Sequence, residues 1–434
     1  MKKRPHFYVA IAHTDNVACF LDEWGKDKGR VSNINLFPSK LRENLLFSMS
    51  FPSDIHYDTM VHDLDPLSDT DELKKQFIYP RRMFADCGAF QFRDLPKPKL
   101  GDADLDYNVA WGYYEQNHVK AKKHQWNEIL LCSPDHIITQ DMSDEEVANR
   151  FEFIEENAAP FLEKCGSDPR VKAVGVIHGR TIEERKEQYE MFRELKYKYV
   201  ALGGMVPYST KQSQVLDIVA GIKDIDNPII DPDSILGRCR KNGTQLHVFG
   251  LNSPEWVRWW HRLQIDSFDG SKLSTEGAAN GWYYVPNDGK GAGRDMPTQP
   301  KNVGELYQRI AVKKMLAEEW EWKEDMDGLL KPIVPLTEKG VDTNCDCPAC
   351  QYLKSSRCTS ERCWLRKAKP EVRHVADPRM MGSTEHNMGR VAHNAFVFAW
   401  IIEQIEHFNK LADESEITDE NAWLLNWKTV EEES

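Results

Sequence analysis

Short apolar segments alternate with helical segments along most of this chain, and this alternation constrains the fold more than any other feature. Several helical segments begin with a capping signal, such as Ser143 before an acidic turn or Thr181 with Glu184. Such an alternation predicts parallel strands joined by helical crossovers. Roughly eight strands within about 270 residues favour a closed (β/α)8 TIM barrel of the α/β class, with an open doubly wound sheet as the alternative.

Polar residues and glycines stand where the predicted strands end. The predicted strands are residues 7–12, 45–49, 83–86, 136–141, 173–179, 199–204, 245–250 and 265–269. At or near their C-terminal ends lie Asp86, Asp141, His178, Gly204, Gly250 and Asp269. Active sites of TIM barrels are built at this end of the strands, so the placement favours the barrel over the open sheet.

The sequence predicts three parts. Residues 1–335 form the catalytic barrel, which ends in a long helix with Leu306, Ile310, Leu316 and Trp320 on one face. Residues 336–410 form a zinc-binding subdomain with a basic insert and a final long helix, and residues 411–434 form an acidic tail.

Composition excludes several classes of protein. The chain has 434 residues and is 41% hydrophobic, which suits a folded enzyme of one large domain plus a smaller unit. Its apolar runs fall short of the roughly 20 residues of a membrane helix, and no signal-type segment follows Met1, so we expect a cytoplasmic protein without a membrane partner. The net charge of −13 argues against a wholly basic nucleic-acid coat but allows a local basic groove.

The segment Cys345-Asp346-Cys347-Pro348-Ala349-Cys350 is the most specific local signal. Three thiolates at this spacing reach one ion, and tetrahedral zinc needs one further ligand. We choose His393, while His386 on the same predicted helix face is not separated from it, and Cys358 and Cys363 are further candidates. Free thiols are the alternative interpretation. Four protein ligands leave no position for water, so the predicted Zn²⁺ is structural, one per chain.

Two carboxylates stand out among the strand-end residues. Met83 to Asp86 is an apolar run that delivers an Asp into a turn of small residues, although a strand followed by an Asx-type turn is the simpler interpretation. Asp269 ends the last predicted strand, where capping a loop is the alternative role. Two such groups at one barrel mouth can share the work at a glycosidic carbon, provided that their pKa values differ.

Other strand-end residues fit a pocket for a planar base. Phe90 and Phe249 can stack on its two faces, although each Phe alone is more simply explained by core packing. Asp141 can accept hydrogen bonds from the two adjacent donors of a guanine edge, and His178 can add a contact unless it is a satisfied core histidine. Gly203 and Gly204 let backbone N–H groups approach a ligand, unless they only form a turn. Gly250 completes the predicted base-binding set.

These residues resemble motifs of the tRNA-guanine transglycosylase superfamily. Asp86-Cys87-Gly88-Ala89-Phe90-Gln91 is similar to its Asp-Ser-Gly-Gly-aromatic-Gln motif, and Gly203-Gly204-Met205 to its Gly-Gly-Leu. Ile265-Asp266-Ser267-Phe268-Asp269 is similar to its Ile-Asp-Met-Phe-Asp, and the three cysteines with His393-Asn394 to its zinc motif. The matches follow one another in the family's order over about residues 80–405.

The resemblance implies a role for each matched residue. Asp269 is then the nucleophile that attacks C1′ of the target nucleotide, and Asp86 the general acid/base. Phe90 and Phe249 stack on the base, which Asp141 and the Gly204 backbone read. The family expels guanine and lets a 7-deazaguanine attack the covalent intermediate, so configuration is retained.

Departures from the family's motifs favour its DNA-modifying branch, which inserts 7-cyano-7-deazaguanine or a relative. The nucleophile motif continues as Gly270-Ser271-Lys272 where the tRNA enzymes have Pro-Thr-Arg, and His178 replaces a base-reading Gln. A basic insert lengthens the zinc motif. The predicted nucleic-acid contacts are Lys272, Arg357, Arg362, Arg366, Lys367 and Lys369, although a solvated basic face is the alternative for the insert.

The sequence leaves three other functions open. The same exchange on tRNA is the first. A non-catalytic nucleic-acid-binding subunit is the second, although the chain keeps both carboxylates. A glycosidase that releases guanine to water is the third. Whether an ATPase or another modification-system protein acts as a partner is also open.

Overall fold

The protein is a closed barrel of parallel strands with helices around it. The computed structural model describes residues 5–11, 17–22, 27–32, 36–49, 81–120, 126–287, 299–311, 321–324, 330–333, 345–354, 356–357 and 384–432. Eight parallel strands close the barrel in chain order, with the first strand hydrogen-bonded to the last. The predicted TIM barrel is therefore confirmed.

The barrel strands are numbered in chain order. They are β1 (His6–Ile11), β2 (Asn44–Ser48), β3 (Arg82–Asp86), β4 (Glu128–Cys132), β5 (Val171–Ile177), β6 (Tyr199–Leu202), β7 (Gln245–Val248) and β8 (Ser267–Gly270). Their register places Ser48 beside Asp86 and Tyr8 beside Asp269. Polar groups at neighbouring strand ends are thereby brought to the same rim of the barrel.

Helices cover the outside of the barrel. They are α1 (Ser39–Arg42), α2 (Tyr107–Tyr114), α3 (Asp144–Cys165), α4 (Ile182–Glu194), α5 (Gln212–Ala220), α6 (Ile235–Asn242), α7 (Pro254–Leu263), α8 (Lys272–Ser274), α9 (Pro348–Lys354) and α10 (Thr384–Glu414). The capping boxes at Ser143 and Thr181 are both formed, so the sequence signals do start α3 and α4.

Two apolar layers hold the barrel together. Alternating strand residues fill its interior, among them Tyr8, Phe84 and Val176, while the intervening residues face the helices. Helix α10 contacts both α7 and α1, and its Phe398 ring lies 5.3 Å from the ring of Phe7 on β1. The last long helix therefore belongs to the outer layer that covers the barrel.

Short strands lie outside the barrel. Strand β9 (Trp282–Pro286) pairs antiparallel with β10 (Tyr307–Ala311) beyond the end of β8. The others are Val17–Asp22, Asp27–Ser32, Lys99–Leu100, Ala103–Asp104, Ile229–Ile230, Glu321–Glu324, Leu330–Ile333, Ser356–Arg357 and Glu431–Glu432. Within the described ranges, no helix combines the length and apolar character needed to cross a membrane. The predicted part boundaries at 335 and 410 stay predictions.

Two predicted elements were wrong. The fourth strand is Glu128–Cys132 and not residues 136–141, because Ser133 and Pro134 end the apolar run that pairs with β3 and β5. The predicted helix through Leu306 and Ile310 begins as β10, whose residues pair with β9; Leu316 and Trp320 lie outside the described residues.

Candidate active site

A cavity of about 440 Å³ opens at the C-terminal ends of the barrel strands. The predicted site residues among its lining are Asp86, Phe90, His178, Gly203, Gly204, Phe249, Gly250 and Asp269. Ser48, Cys132 and Asp135, which were not predicted, also line it. Closure of the barrel thus brings strand ends that are far apart in the sequence to one place.

Asp86 ends β3 and faces this cavity. Its Oδ1 accepts hydrogen bonds from the Ser48 hydroxyl at 2.7 Å and from the Gly88 backbone N–H at 2.6 Å. Gly88 has a φ of 76°, so the Asx-type turn foreseen as the simpler interpretation is present as well. Burial raises the pKa of Asp86 to about 7, and the charges of Asp269 and Asp135 add to this rise against the two hydrogen bonds. Asp86 can therefore carry a proton near neutral pH.

Asp269 ends β8 and is held differently. Its Oδ1 accepts a hydrogen bond from the Gly250 backbone N–H at 2.8 Å and lies 3.3 Å from Nε2 of His247. The side chain is buried, yet it lines the cavity. One oxygen of Asp269 is therefore held by two neighbouring groups, and a carboxylate in such a cavity can act as a nucleophile.

Asp135 occupies the place expected for Asp141. Asp141 is exposed, bonds to the Thr139 hydroxyl and is not in the cavity lining, because β4 ends nine residues earlier than the predicted strand, at Cys132. Asp135 is buried in the loop that follows β4; its Oδ2 lies 2.6 Å from His178 Nε2, and its Oδ1 accepts from the Cys87 thiol. Pro134 was the signal in the sequence that the strand had ended before this carboxylate.

The two glycines after β6 fit closely around His178. A Cβ at Gly203 would lie 2.3 Å from His178 Cε1, so any side chain at this position displaces the imidazole. Gly204 has a φ of 66°, in the left-handed region that glycine favours. The buried Arg185 guanidinium donates to the Gly203 carbonyl at 3.0 Å. The backbone at this side of the cavity is therefore fixed by its neighbours.

The two aromatic residues lie in different surroundings. Phe249 is half-buried and packs against Phe84 and His247, with ring centroids 5.5 and 4.6 Å apart. Phe90 is 62% exposed at the cavity lip, with the Arg93 guanidinium 5.5 Å from its ring centroid. An exposed aromatic ring beside a cavity is available for stacking on a ligand.

The predicted nucleic-acid contacts are described only in part. Lys272 begins α8 next to the cavity-lining Ser271, and its Nζ lies 3.4 Å from Glu276 Oε1. The same carboxylate oxygen accepts from Arg309 at 3.0 Å, which places a second cation beside Lys272. Arg357 lies in a short strand whose side chains are not described, and Arg362, Arg366, Lys367 and Lys369 lie outside the described residues.

Three cysteines and one histidine form a group that can hold a metal ion. The ligand atoms of Cys345, Cys347, Cys350 and His393 all lie within 4.8 Å of one another. His393 Nδ1 lies 3.4 Å from Cys350 Sγ and 3.8 Å from Cys347 Sγ. Ligands around tetrahedral zinc are separated by roughly 3.5–3.8 Å, so the spacing and the donor types fit this ion.

Helix α10 and strand β9 orient the histidine. His393 Nε2 donates to the Tyr284 carbonyl at 2.7 Å, which leaves Nδ1 facing the thiols, and the Tyr283 ring stacks on the imidazole at 3.9 Å. Asn394 also bonds to β9, at the Tyr284 N–H and the Trp282 carbonyl. His386 is buried on α10 but is not in the group, and Cys358 and Cys363 lie outside the described residues.

Comparison with known proteins gives one similarity. No protein-family model matches the chain. Over 209 residues the chain is 25% identical to a DNA-guanine transglycosylase of Salmonella montevideo. The aligned segment is 45% of this chain and 42% of the relative, so the chain matches less than half the length of that protein. The similarity confirms the resemblance, found from the motifs, to the transglycosylase superfamily and to its DNA-modifying branch.

Proposed function

We propose that this protein is a glycosyltransferase that exchanges guanine for a 7-deazaguanine, such as 7-cyano-7-deazaguanine, in DNA. The observation that carries the proposal is the pair Asp86 and Asp269, which face one cavity with different partners: the pKa of Asp86 is raised to about 7, and Asp269 accepts a hydrogen bond from the Gly250 N–H. The similarity to a protein named DNA-guanine transglycosylase supports DNA as the substrate.

The proposed reaction proceeds through two displacements at C1′ of the target nucleotide. Asp269 attacks C1′, the bond to guanine N9 breaks, and Asp86 gives its proton to the departing base. An incoming 7-deazaguanine then loses its N9 proton to Asp86 and attacks C1′, which returns the bonding electrons to the Asp269 carboxylate. Two inversions retain the configuration, as in retaining glycosidases.

Base recognition is assigned to the residues around Asp135. Its buried carboxylate can accept from the two adjacent donors of a guanine edge, the role first given to Asp141. His178 contacts Asp135 from the side of Gly203 and Gly204, and the rings of Phe90 and Phe249 provide surfaces for stacking on the base.

The proposal also includes a structural zinc site and a set of basic residues that contact nucleic acid. Cys345, Cys347, Cys350 and His393 would hold one structural Zn²⁺, which supplies folding energy to the segment around α9 and no chemistry to the cavity. Lys272, with the basic residues at 357, 362, 366, 367 and 369, would contact phosphates.

Nucleoside mass spectrometry tests the substrate. Purified protein is incubated with 7-cyano-7-deazaguanine and either duplex DNA, single-stranded DNA or tRNA, and each nucleic acid is digested to nucleosides. We expect the deazaguanine in DNA and guanine released in equal amount, while Asp269→Asn gives neither. Incorporation into tRNA alone would replace the DNA proposal, and guanine release without incorporation would indicate a glycosidase.

A further inference from the structure

A buried histidine lies directly beneath the candidate nucleophile. His247 is on β7, and its Nε2 is 3.3 Å from Asp269 Oδ1 while its Nδ1 is 2.9 Å from the Ser267 hydroxyl. Both of its partners are on β8, the neighbouring strand, and Ser267 lies directly across from His247 in the parallel register. Ser267, His247 and Asp269 thus form one chain of hydrogen bonds inside the barrel.

The carboxylate end of this chain fixes which imidazole nitrogen carries the hydrogen that faces Asp269. A carboxylate oxygen only accepts hydrogen bonds, so Nε2 must bear the hydrogen that faces Asp269. Nδ1 then accepts from the Ser267 hydroxyl, which can rotate to donate. The tautomer with its proton on Nε2 satisfies every group in the chain; the Asp269 carboxylate selects it, and the Ser267 hydroxyl supplies the partner of Nδ1.

The hydrogen bond makes the two oxygens of Asp269 unequal. Oδ1 faces two donors, His247 Nε2 and the Gly250 N–H. Among the described residues, none donates to Oδ2, and the side chain lines the cavity. Oδ2 is therefore the oxygen available to attack, while Oδ1 keeps its partners through the reaction.

We propose that His247, held between Ser267 and Asp269, is a positioning residue for the covalent step. It orients Oδ2 of Asp269 toward C1′ and stabilises the carboxylate when it leaves C1′ again. This inference depends on the proposed base exchange, because the Asp269 carboxylate can leave C1′ only if a glycosyl ester has first formed on Asp269.

The charge on Asp269 determines which step needs His247 more. Attack converts the Asp269 carboxylate to an ester through a new C1′–Oδ2 bond while Asp86 gives its proton to guanine, so the negative charge passes from Asp269 to Asp86. When the incoming base attacks C1′, that bond breaks and its electron pair restores the carboxylate. A donor at Oδ1 stabilises the charged form, so its removal slows release of the ester more than its formation.

Core packing is the alternative role of this ring. His247 lies 4.4 Å from Phe84 and 4.6 Å from Phe249 between ring centroids, so a phenylalanine would fill much of the same space. His247→Phe keeps an aromatic ring without a donor, whereas His247→Gln keeps an N–H that can reach Asp269. Comparison of the two variants separates packing from hydrogen bonding.

The test measures formation and release of the protein–DNA adduct in single turnovers. Protein is mixed with a labelled guanine-containing oligonucleotide, quenched in denaturant and separated by size; release is followed after addition of 7-cyano-7-deazaguanine. We expect His247→Phe to release its adduct about 10- to 100-fold more slowly than wild type, with a higher steady-state adduct fraction. His247→Gln should recover most of the rate, and Ser267→Ala should slow release by a smaller factor.

Several results would overturn the inference. Release at the wild-type rate from His247→Phe would contradict it, as would equal slowing in His247→Gln and His247→Phe, or loss of adduct in proportion to loss of turnover. If His247→Phe does not fold, release is compared in His247→Gln and Ser267→Ala, and unchanged release in Ser267→Ala would contradict the role of Ser267 in holding the His247 ring. A wild-type protein that forms no adduct would instead contradict the proposed function itself.

Discussion

Asp86 and Asp269 lie at one rim of the barrel but in different surroundings. Burial and neighbouring charges raise the pKa of Asp86 to about 7, whereas Asp269 has donors from Gly250 and His247 on one oxygen. A group that holds its proton near neutral pH suits the proposed proton transfer, and a carboxylate with one oxygen held by neighbours suits the proposed nucleophilic attack.

The raised pKa of Asp86 predicts the pH dependence of the first step. The proton is present below about pH 7 and lost above it, so the single-turnover rate of adduct formation should fall about tenfold per pH unit above that value. Asp86→Asn should be slow and should lack this limb. Rates measured from pH 5 to 9 would contradict the role if Asp86→Asn followed the wild-type curve.

The same shift has a consequence for stability. Because the folded protein holds this proton more tightly than the unfolded chain, whose carboxyl has the ordinary pKa of 3.8, stability should fall as pH rises from about 4 to about 7. Asp86→Asn removes this loss, so its melting temperature relative to wild type should be higher at pH 8 than at pH 4.

A side chain at Gly203 should affect both stability and base binding. A methyl group there collides with His178 Cε1, so Gly203→Ala should destabilise the fold by about 1–3 kcal/mol and weaken binding of the free base at least about tenfold. Gly112→Ala is the matched control: a Cβ there meets nothing within 4 Å, and the exposed helix position should gain about 0.5–1 kcal/mol. Calorimetry of both variants with 7-cyano-7-deazaguanine checks this, and wild-type affinity in Gly203→Ala would contradict it.

At the scale of elements, the group formed by Cys345, Cys347, Cys350 and His393 connects α9, α10 and β9. His393→Ala should weaken zinc binding by at least about 100-fold, since it removes a ligand, and should lower the melting temperature. His386→Ala changes a buried residue on the same helix outside the group and should keep one zinc per chain. Metal analysis of both purified variants distinguishes the two histidines. Zinc retained in His393→Ala but lost in His386→Ala would make His386 the fourth ligand.

Strand type and order were largely predictable, and the two errors have physical causes. Residues 136–141 have the β-branched composition of a strand, but the apolar run before Pro134 pairs with its neighbours first. Leu306 and Ile310 suggested a helical face, yet the pairing of β10 with β9 overrides that spacing. The local sequence pattern therefore identified the alternation of strands and helices. Pairing with strands distant in the sequence determined the structure of these two segments.

At the scale of the molecule, closure of the barrel brings the candidate site residues to one cavity. Asp86 on β3 and Asp269 on β8 are distant in the sequence, and only the closed order of strands faces them on one cavity. The sequence motifs were sufficient to predict that these two carboxylates lie close together. They did not reveal Asp135 or His247, because a loop carboxylate and an inward-facing strand residue have no local pattern that separates them from ordinary buried groups.

The net charge of −13 also acts on the whole molecule. An acidic protein repels DNA at long range, so the proposed DNA binding would depend on local cations such as Lys272 and Arg309, which share the buried carboxylate of Glu276. Contacts of this kind are sensitive to salt, and adduct formation is best measured at one fixed ionic strength.

Peptide mapping of the covalent adduct identifies the residue that attacks C1′. Protein and a guanine-containing oligonucleotide are mixed without 7-deazaguanine, denatured, digested and analysed by tandem mass spectrometry. We predict a glycosyl ester on the peptide that contains Asp269, with none in Asp269→Asn despite normal folding and zinc content. An adduct on another residue, or full base exchange by Asp269→Asn, would contradict the account.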